Sequence, residues 1–236
     1  MMDLFYTDSY PPGQDYLTLS IEESKHIRKV LRKRSGDLIE VTDGKGNRIR
    51  GLIESEQGSK VRLKVQHLEK IPFPPNNRIE IGLSIIRPNR MDWAVEKLTE
   101  LGVKKIVPLR CEFSTFRSVK LDHLKRIVIS ALKQSRQYYL TEISPAVTFL
   151  DWLSGSQPGG TERYVAYPHA DGLWSTNLGD KKSELYQIII GPEGGFHKDE
   201  ISKMEQYQFN KLHLGPHILR TETAAVVGTA LLKSCM

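Results

Sequence analysis

The stretch Ile188-Ile189-Ile190-Gly191-Pro192-Glu193-Gly194-Gly195-Phe196 runs a short apolar strand straight into a turn with three glycines. Glycine there lets the backbone take positive φ and lets a ligand come close to the chain. The turn falls at the carboxyl end of a strand, where open α/β sheets bind ligands. A lone Gly-Gly would serve equally well as a plain strand–helix connection, so the surroundings must decide.

Outward from this point, strands and helices alternate through residues 78–236. Ile79 to Ile85 reads as a strand. Met91 to Leu101 reads as a helix, with Ala94, Val95, Leu98 and Leu101 on one face and Gly102 at its end. Ile106 to Leu109 is again a strand. Leu121 to Lys133 is helical, with Leu121, Leu124, Val128, Ala131 and Leu132 in phase. Tyr164 to Tyr167 is a further strand, and Ala224 to Lys233 a mostly apolar helix. Such alternation predicts an α/β domain with a largely parallel sheet.

Residues 1–70 have a different texture. Leu38 to Val41 and Arg48 to Ile53 read as strands around the turn cluster Asp43 to Asn47, and Val61 to Val65 alternates with period two. One helix, Ile21 to Leu31, is announced by Ser20 and Glu23 as a capping box. A small β-barrel with one helix is expected. Between the halves, Pro72, Pro74 and Pro75 break both helix and central strand. The expected domains are therefore residues 1–72 and 73–236.

The glycine turn carries neither G-x-x-x-x-G-K-[ST] nor G-x-G-x-x-G, and Glu193 within it would repel a phosphate. A cationic, hydroxyl-bearing, phosphate-free ligand suits it, and S-adenosylmethionine is such a molecule. A second turn, Leu212-His213-Leu214-Gly215-Pro216-His217-Ile218-Leu219-Arg220-Thr221-Glu222-Thr223-Ala224-Ala225, leads into the last helix. Thr221 or Thr223 could be an ordinary N-cap, and Glu222 favours the helix dipole. Arg220 opposes that dipole, which points to a functional role.

The 236 residues are 39% hydrophobic and 26% charged, an ordinary globular composition. The net charge of +6 favours polyanionic partners. Lys25, His26, Arg28, Lys29, Arg32, Lys33 and Arg34 form one basic run, read either as a solvated face or as a phosphate-tracking surface. In that run Val30 and Leu31 are expected to provide the apolar anchoring. Arg87, Arg90, Lys97, Lys104, Lys105 and Arg110, with Lys125, Arg126, Lys133 and Arg136 further on, form a second group. The candidate RNA contacts are Arg28, Arg32, Lys33, Arg34, Arg90, Lys133 and Arg136. Cys111 and Cys235 make neither a zinc site nor a disulfide framework, so no metal is expected. No apolar run is long enough for a membrane span, and Met1 to Tyr6 has no secretory pattern, so a cytoplasmic protein is expected. G-x-S-x-G and H-E-x-x-H are absent, which excludes the corresponding hydrolase classes. His169, His197 and His217 lie near the expected ligand loops.

The two turns, together with Met91-Asp92-Trp93-Ala94-Val95-Glu96-Lys97-Leu98-Thr99-Glu100-Leu101-Gly102-Val103 and the early His26-Ile27 with Val30-Leu31-Arg32, resemble the ribosomal RNA small-subunit methyltransferase E family. The resemblance spans nearly the whole chain in order. Lys133 in Ala131-Leu132-Lys133-Gln134-Ser135-Arg136, the Arg87-Pro88-Asn89-Arg90 loop and the loosely matching Tyr167-Pro168-His169 depart from the family pattern.

That resemblance implies an N-terminal PUA-like barrel, a C-terminal SPOUT domain with a trefoil knot, a homodimer, and methylation of uridine N3 in 16S rRNA or the small ribosomal subunit. A SPOUT ribose 2′-O-methyltransferase and a non-catalytic ribosome-assembly protein are the alternatives. The implied cofactor is S-adenosyl-L-methionine. Its expected contacts are Tyr167, Pro168, Ile190, Gly191, Pro192, Glu193, Gly194, Gly195, Leu212, Leu214, Gly215, Ile218, Leu219, Arg220, Thr223 and Ala224. Arg220 is expected to stabilise a uracil anion, with Glu222 or Glu193 orienting it or accepting the N3 proton.

Overall fold

A computed structural model describes residues 2–11, 13–57, 59–155, 159–167 and 183–236, without the side chains of 55–57. The chain divides into two compact units. The first contains Met1–Phe73 and Leu132–Leu140, the second Pro74–Ala131 and Thr141–Met236.

The first unit holds strands β1 (Leu4–Tyr6), β2 (Tyr16–Thr18), β3 (Leu38–Thr42), β4 (Asn47–Gln57) and β5 (Lys60–Lys70), in the order β1-β3-β4-β5-β2. Among the described residues of this unit, only β1 and β3 pair in parallel. Two register shifts, at Arg50/Gly51 and Ile53/Ser55, interrupt the long β4–β5 ribbon. Such irregularities increase twist and bend the sheet over its core. That core is built from Phe5, Leu19, Ile27, Ile39, Val41, Ile49 and Leu63, all essentially without exposed surface.

Ser20 caps the short helix α1 (Ile21–Lys25) by accepting the Glu23 backbone N–H. The expected capping box is only half formed. The Glu23 side chain turns inward and accepts the Lys133 ammonium instead. The helix expected to run on to Leu31 widens after Lys25 into one π-turn, His26–Val30, where the Leu31 N–H bonds the His26 carbonyl. A wider turn shifts the helical phase. Ile27 is fully buried while Val30 is 64% exposed. Val30 therefore does not anchor this segment. Ile27 does, with the partly buried Leu31 packed beside it. Arg32, at φ 54°, ends the turn.

The second unit is a parallel sheet. Its strands are β6 (Ile79–Ser84), β7 (Lys105–Arg110), β8 (Glu142–Ile143), β9 (Val147–Thr148), β10 (Thr161–Ala166), β11 (Leu185–Ile190) and β12 (Asn210–Leu212). The order is β12-β10-β11-β6-β7-β8, with β9 also on β7, and every pairing is parallel. The helices are α2 (Pro88–Glu100), α3 (Leu121–Ser135), α4 (Phe149–Ser154), α5 (Lys198–Gln206) and α6 (Thr221–Ser234).

β11 is buried at all six positions because both sheet faces are covered. Ile189 packs with Phe149, Trp152, Met204 and Phe209 on the face under α4 and α5. Alternation along a strand sends Ile188 and Ile190 to the opposite face. There α6 comes so close that a Cβ on Gly228 would sit 2.7 Å from Ile188 Cδ1. This close packing sets the start of α6 beside the end of β11.

Candidate active site

The cleft opens at the carboxyl ends of β10 and β11, with a volume of about 440 Å³. Ala166 and Tyr167 contribute from the end of β10, and Ile190, Gly191, Pro192, Glu193, Gly195 and Phe196 from the first turn. Leu214, Gly215, His217, Ile218, Leu219 and Arg220 contribute from the second turn, with Ile201, Thr221 and Ala224 closing the wall.

The first turn is tied by the Gly195 N–H donating to the Pro192 carbonyl at 2.9 Å. Gly195 has φ +74° and Gly215 φ +124°. Nothing lies within 4 Å of where a Cβ would stand on either, so a side chain there would project into open space. Thr221 joins the two turns, its hydroxyl donating to the Gly191 carbonyl at 2.9 Å. Thr221 therefore does not cap its helix; Arg220 occupies the N-cap position and makes no side-chain cap bond.

The charges do not pair as the sequence suggests. Neither Glu193 nor Glu222 orients Arg220, as the motif leads one to expect. They lie instead beside Arg90, whose Nη1 is 3.3 Å from Glu193 Oε1 and whose Nε is 3.5 Å from Glu222 Oε1. The reason is register. Arg90 lies on the first turn of α2, and α2 packs along α6. Glu222 points into that seam, and its Oε2 is buried without a hydrogen-bond partner. Arg220 is exposed, lines the cleft and has no ion-pair partner among the described residues. A lone guanidinium at the positive end of a helix is electrostatically disfavoured, so it remains available for a negative charge in the cleft.

Other expected residues distribute as follows. Tyr167, Ile190, Gly191, Pro192, Glu193, Gly195, Leu214, Gly215, Ile218, Leu219, Arg220 and Ala224 line the cleft. Gly194, Leu212 and Thr223 do not; Gly194 backs onto Phe113, and Leu212 is buried at the end of β12. Pro168 and His169 fall outside the described residues.

Four further lining residues were not expected to face a ligand, although Phe196 and Thr221 lie within the two quoted turns. Ala166, Phe196, Ile201 and Thr221 reach the cleft through strand register, helix phase or a bond to a neighbouring turn. His197 is the N-cap of α5 and forms a reciprocal capping box with Glu200. The sequence offered a sign of this, a polar residue followed three positions later by Glu.

Cys111 is no nucleophile. Burial pushes its thiol up to about 12, although Ser84 hydrogen-bonds it. Among the described residues no group of three or more His, Cys, Asp or Glu side chains could hold a metal ion, and no helix is long and apolar enough to cross a membrane.

The expected RNA contacts fall into two sets. Arg32 and Arg34 are exposed. Lys33 pairs with Asp3, Lys133 with Glu23, and Arg28 donates to the Ser24 and Ser59 carbonyls. Arg136 donates to the Met2 carbonyl, and Arg90 belongs to the carboxylate trio.

Residues 74–233 match the RNA methyltransferase domain family, and residues 20–66 match the RNA methyltransferase PUA domain. The class is thus that of RNA methyltransferases with a PUA-like domain before a parallel α/β domain. The chain is 30% identical to ribosomal RNA small subunit methyltransferase E of Buchnera aphidicola subsp. Acyrthosiphon pisum, over 98% of this chain and 92% of that protein. It is 28% identical to the Rickettsia conorii protein of the same name, over 87% of this chain and 84% of the other. A crystal structure of ribosomal RNA small subunit methyltransferase E from Neisseria gonorrhoeae, bound to S-adenosyl methionine, superimposes with a TM-score of 0.89 at 26% identity, covering 99% of this chain and 98% of that one. The chain belongs to the ribosomal RNA small subunit methyltransferase E family.

Proposed function

We propose that this protein is a cytoplasmic S-adenosylmethionine-dependent rRNA methyltransferase, and that its product is 3-methyluridine at one position of 16S rRNA. The observation that carries the reading is the pair of turns joined by Thr221 and Gly191, which enclose one cleft at the carboxyl edge of the sheet.

The residues fit the cofactor. A volume of about 440 Å³ is in the range of small-molecule sites. Ile190, Phe196, Ile201, Leu214, Leu219 and Ala224 give an apolar wall suited to a purine. Gly195 and Gly215 leave open space where side chains would intrude. Among the described residues no cluster of basic side chains lines the cleft to demand a phosphate, and Glu193 tolerates a cation. When bound, the cofactor supplies a methyl group on a positively charged sulfur, which leaves with the electron pair of the broken bond.

The chain's own groups supply the rest. Uridine N3 holds a proton at neutral pH and lies on the pairing edge, so the base must be unpaired to be reached. As that proton leaves, negative charge spreads to the uracil oxygens. Arg220, facing the cleft without an ion-pair partner among the described residues, stabilises it as an oxyanion donor does. Arg32 and Arg34 on the first unit track phosphates. The family resemblance further supports a homodimer and a trefoil knot in the second unit, an exceptional topology.

The test is incubation of the purified protein with labelled S-adenosylmethionine and unmodified small subunits, followed by nucleoside analysis. The label should appear in 3-methyluridine. Label on a ribose 2′-oxygen, or none at all, would overturn the assignment.

A further inference from the structure

A proton must leave N3 for a neutral product to form, and the expected acceptor lies between two glutamates. The structure separates them. Glu222 sits in the first turn of α6 with its side chain 12% exposed, and it does not line the cleft. Glu193 has a side chain 43% exposed and does line it. Only Glu193 can touch a base seated there.

Arg90 relates the two. It reaches both carboxylates, and the buried one is otherwise poorly served, with one oxygen lacking any partner. A buried carboxylate in that state holds strongly to its single cation, because losing it would leave an uncompensated charge. Glu222 therefore keeps Arg90 in the orientation that turns Nη1 toward Glu193. One arginine for two carboxylates leaves a surplus negative charge in the trio, and Glu193 is the member facing the cleft. His217 is another described lining side chain with a basic atom. It stands exposed on the second turn with no hydrogen bond fixing its ring among the described residues.

We infer that Glu193 accepts the N3 proton, that Arg90 is the positioning residue that fixes it, and that Glu222 is the buried counter-charge holding Arg90. This rests on the uridine-N3 reading above. The step balances. The N3–H bond breaks and its proton passes to a Glu193 carboxylate oxygen. The pair left on N3 forms the bond to the methyl carbon as the carbon–sulfur bond opens toward sulfur.

The experiment is single-turnover methyl transfer to unmodified small subunits across a range of pH, at saturating S-adenosylmethionine with affinity checked by calorimetry. The variants are Glu193→Gln, Glu222→Gln, Arg90→Ala and Arg90→Lys. Near neutral pH, Glu193→Gln should lose at least about 100-fold in rate, the scale of general-base catalysis. Its rate should climb back in proportion to hydroxide, because a base already ionised at N3 needs no acceptor. A merely structural defect gives no such climb. Arg90→Ala should lose less, and Arg90→Lys should recover part of that loss. A parental rate for Glu193→Gln, or a loss that alkali does not rescue, would overturn the inference. An alkali-rescued loss in Glu222→Gln alone would move the role to Glu222. Should the parent protein make no 3-methyluridine, the uridine-N3 reading itself fails, and that result is distinct from the others.

Discussion

Glu40 and Glu222 are both nine-tenths buried or more, yet they are treated in opposite ways. In the first unit, Glu40 accepts from Arg48 Nε at 2.7 Å, Arg50 Nε at 3.1 Å and Tyr138 Oη at 2.6 Å. Burial would raise its carboxyl, but the hydrogen bonds from Tyr138, Arg48 and Arg50 outweigh that and hold it below the ordinary glutamate value. Burial and Glu40 together push the Tyr138 phenol up to about 12, so it stays a donor. Glu222 has one arginine at 3.5 Å and an oxygen with no partner. A saturated polar network fixes structure, whereas an incompletely satisfied one beside a cleft fits the role proposed above for Glu193 and Arg90. Glu40 ties strand β3 to β4 and to the 132–140 segment, and nothing in its surroundings invites a ligand. Glu222 shares Arg90 with Glu193, which lines the cleft.

The contrast can be broken in order of effect. The largest expected change is Arg220→Ala, in the cleft on the Glu222 side of the comparison. Single-turnover methyl transfer should fall about 100- to 1000-fold, as for loss of one oxyanion donor. Calorimetry should show S-adenosylmethionine affinity changing far less. Affinity lost with the rate intact would make Arg220 a binding residue only.

Next comes Glu40→Gln, at the saturated end. Denaturant titration should show about 2 kcal/mol less stability, the scale of hydrogen bonds to a charged group. Single-turnover chemistry per folded molecule should stay near parental. The pH dependence has a definite sign. A depressed carboxylate contributes stability above its unfolded value of about 4.5, and that contribution is lost as pH falls through the lower folded value. The gap between parent and Glu40→Gln should therefore narrow as pH drops from about 5 toward 3. A gap independent of pH would mean that Glu40 acts by packing alone.

The smallest effect should come from charges that are exposed and, among the described residues, without an ion-pair partner. Neutralising Arg32 and Arg34 together should leave folding unchanged. It should lower the slope of log affinity for RNA against log salt by about 1.4, at roughly 0.7 for each single-strand phosphate that the protein no longer neutralises. An unchanged slope would return that surface to a merely solvated role.

The comparison also marks where reading residues in order stops working. The α2 helix was legible because Ala94, Val95 and Leu98 repeat on one face, and β11 because Ile188 to Ile190 suit only a strand covered on both sides. Both glycine turns were legible because few residues other than glycine tolerate φ near +74° or +124°. The segment 132–140 was not. The sequence reading ends that helix at Lys133 and assigns Tyr138 and Tyr139 nothing, and only the folded chain brings Tyr138 to Glu40 and the Tyr139 hydroxyl to the Ile71 carbonyl. Short strands such as β8, two residues long, carry too little pattern to be seen.

The sequence by itself picked out the two glycine turns that line the cleft, since local backbone demands and hydrophobic period are written in neighbouring positions. It could not decide which charges would pair. Arg220 stands two positions from Glu222, yet the partner of that glutamate is Arg90, more than a hundred residues earlier. Ion pairing depends on distances of a few ångströms, and those are set by the packing of α2 against α6 rather than by separation along the chain.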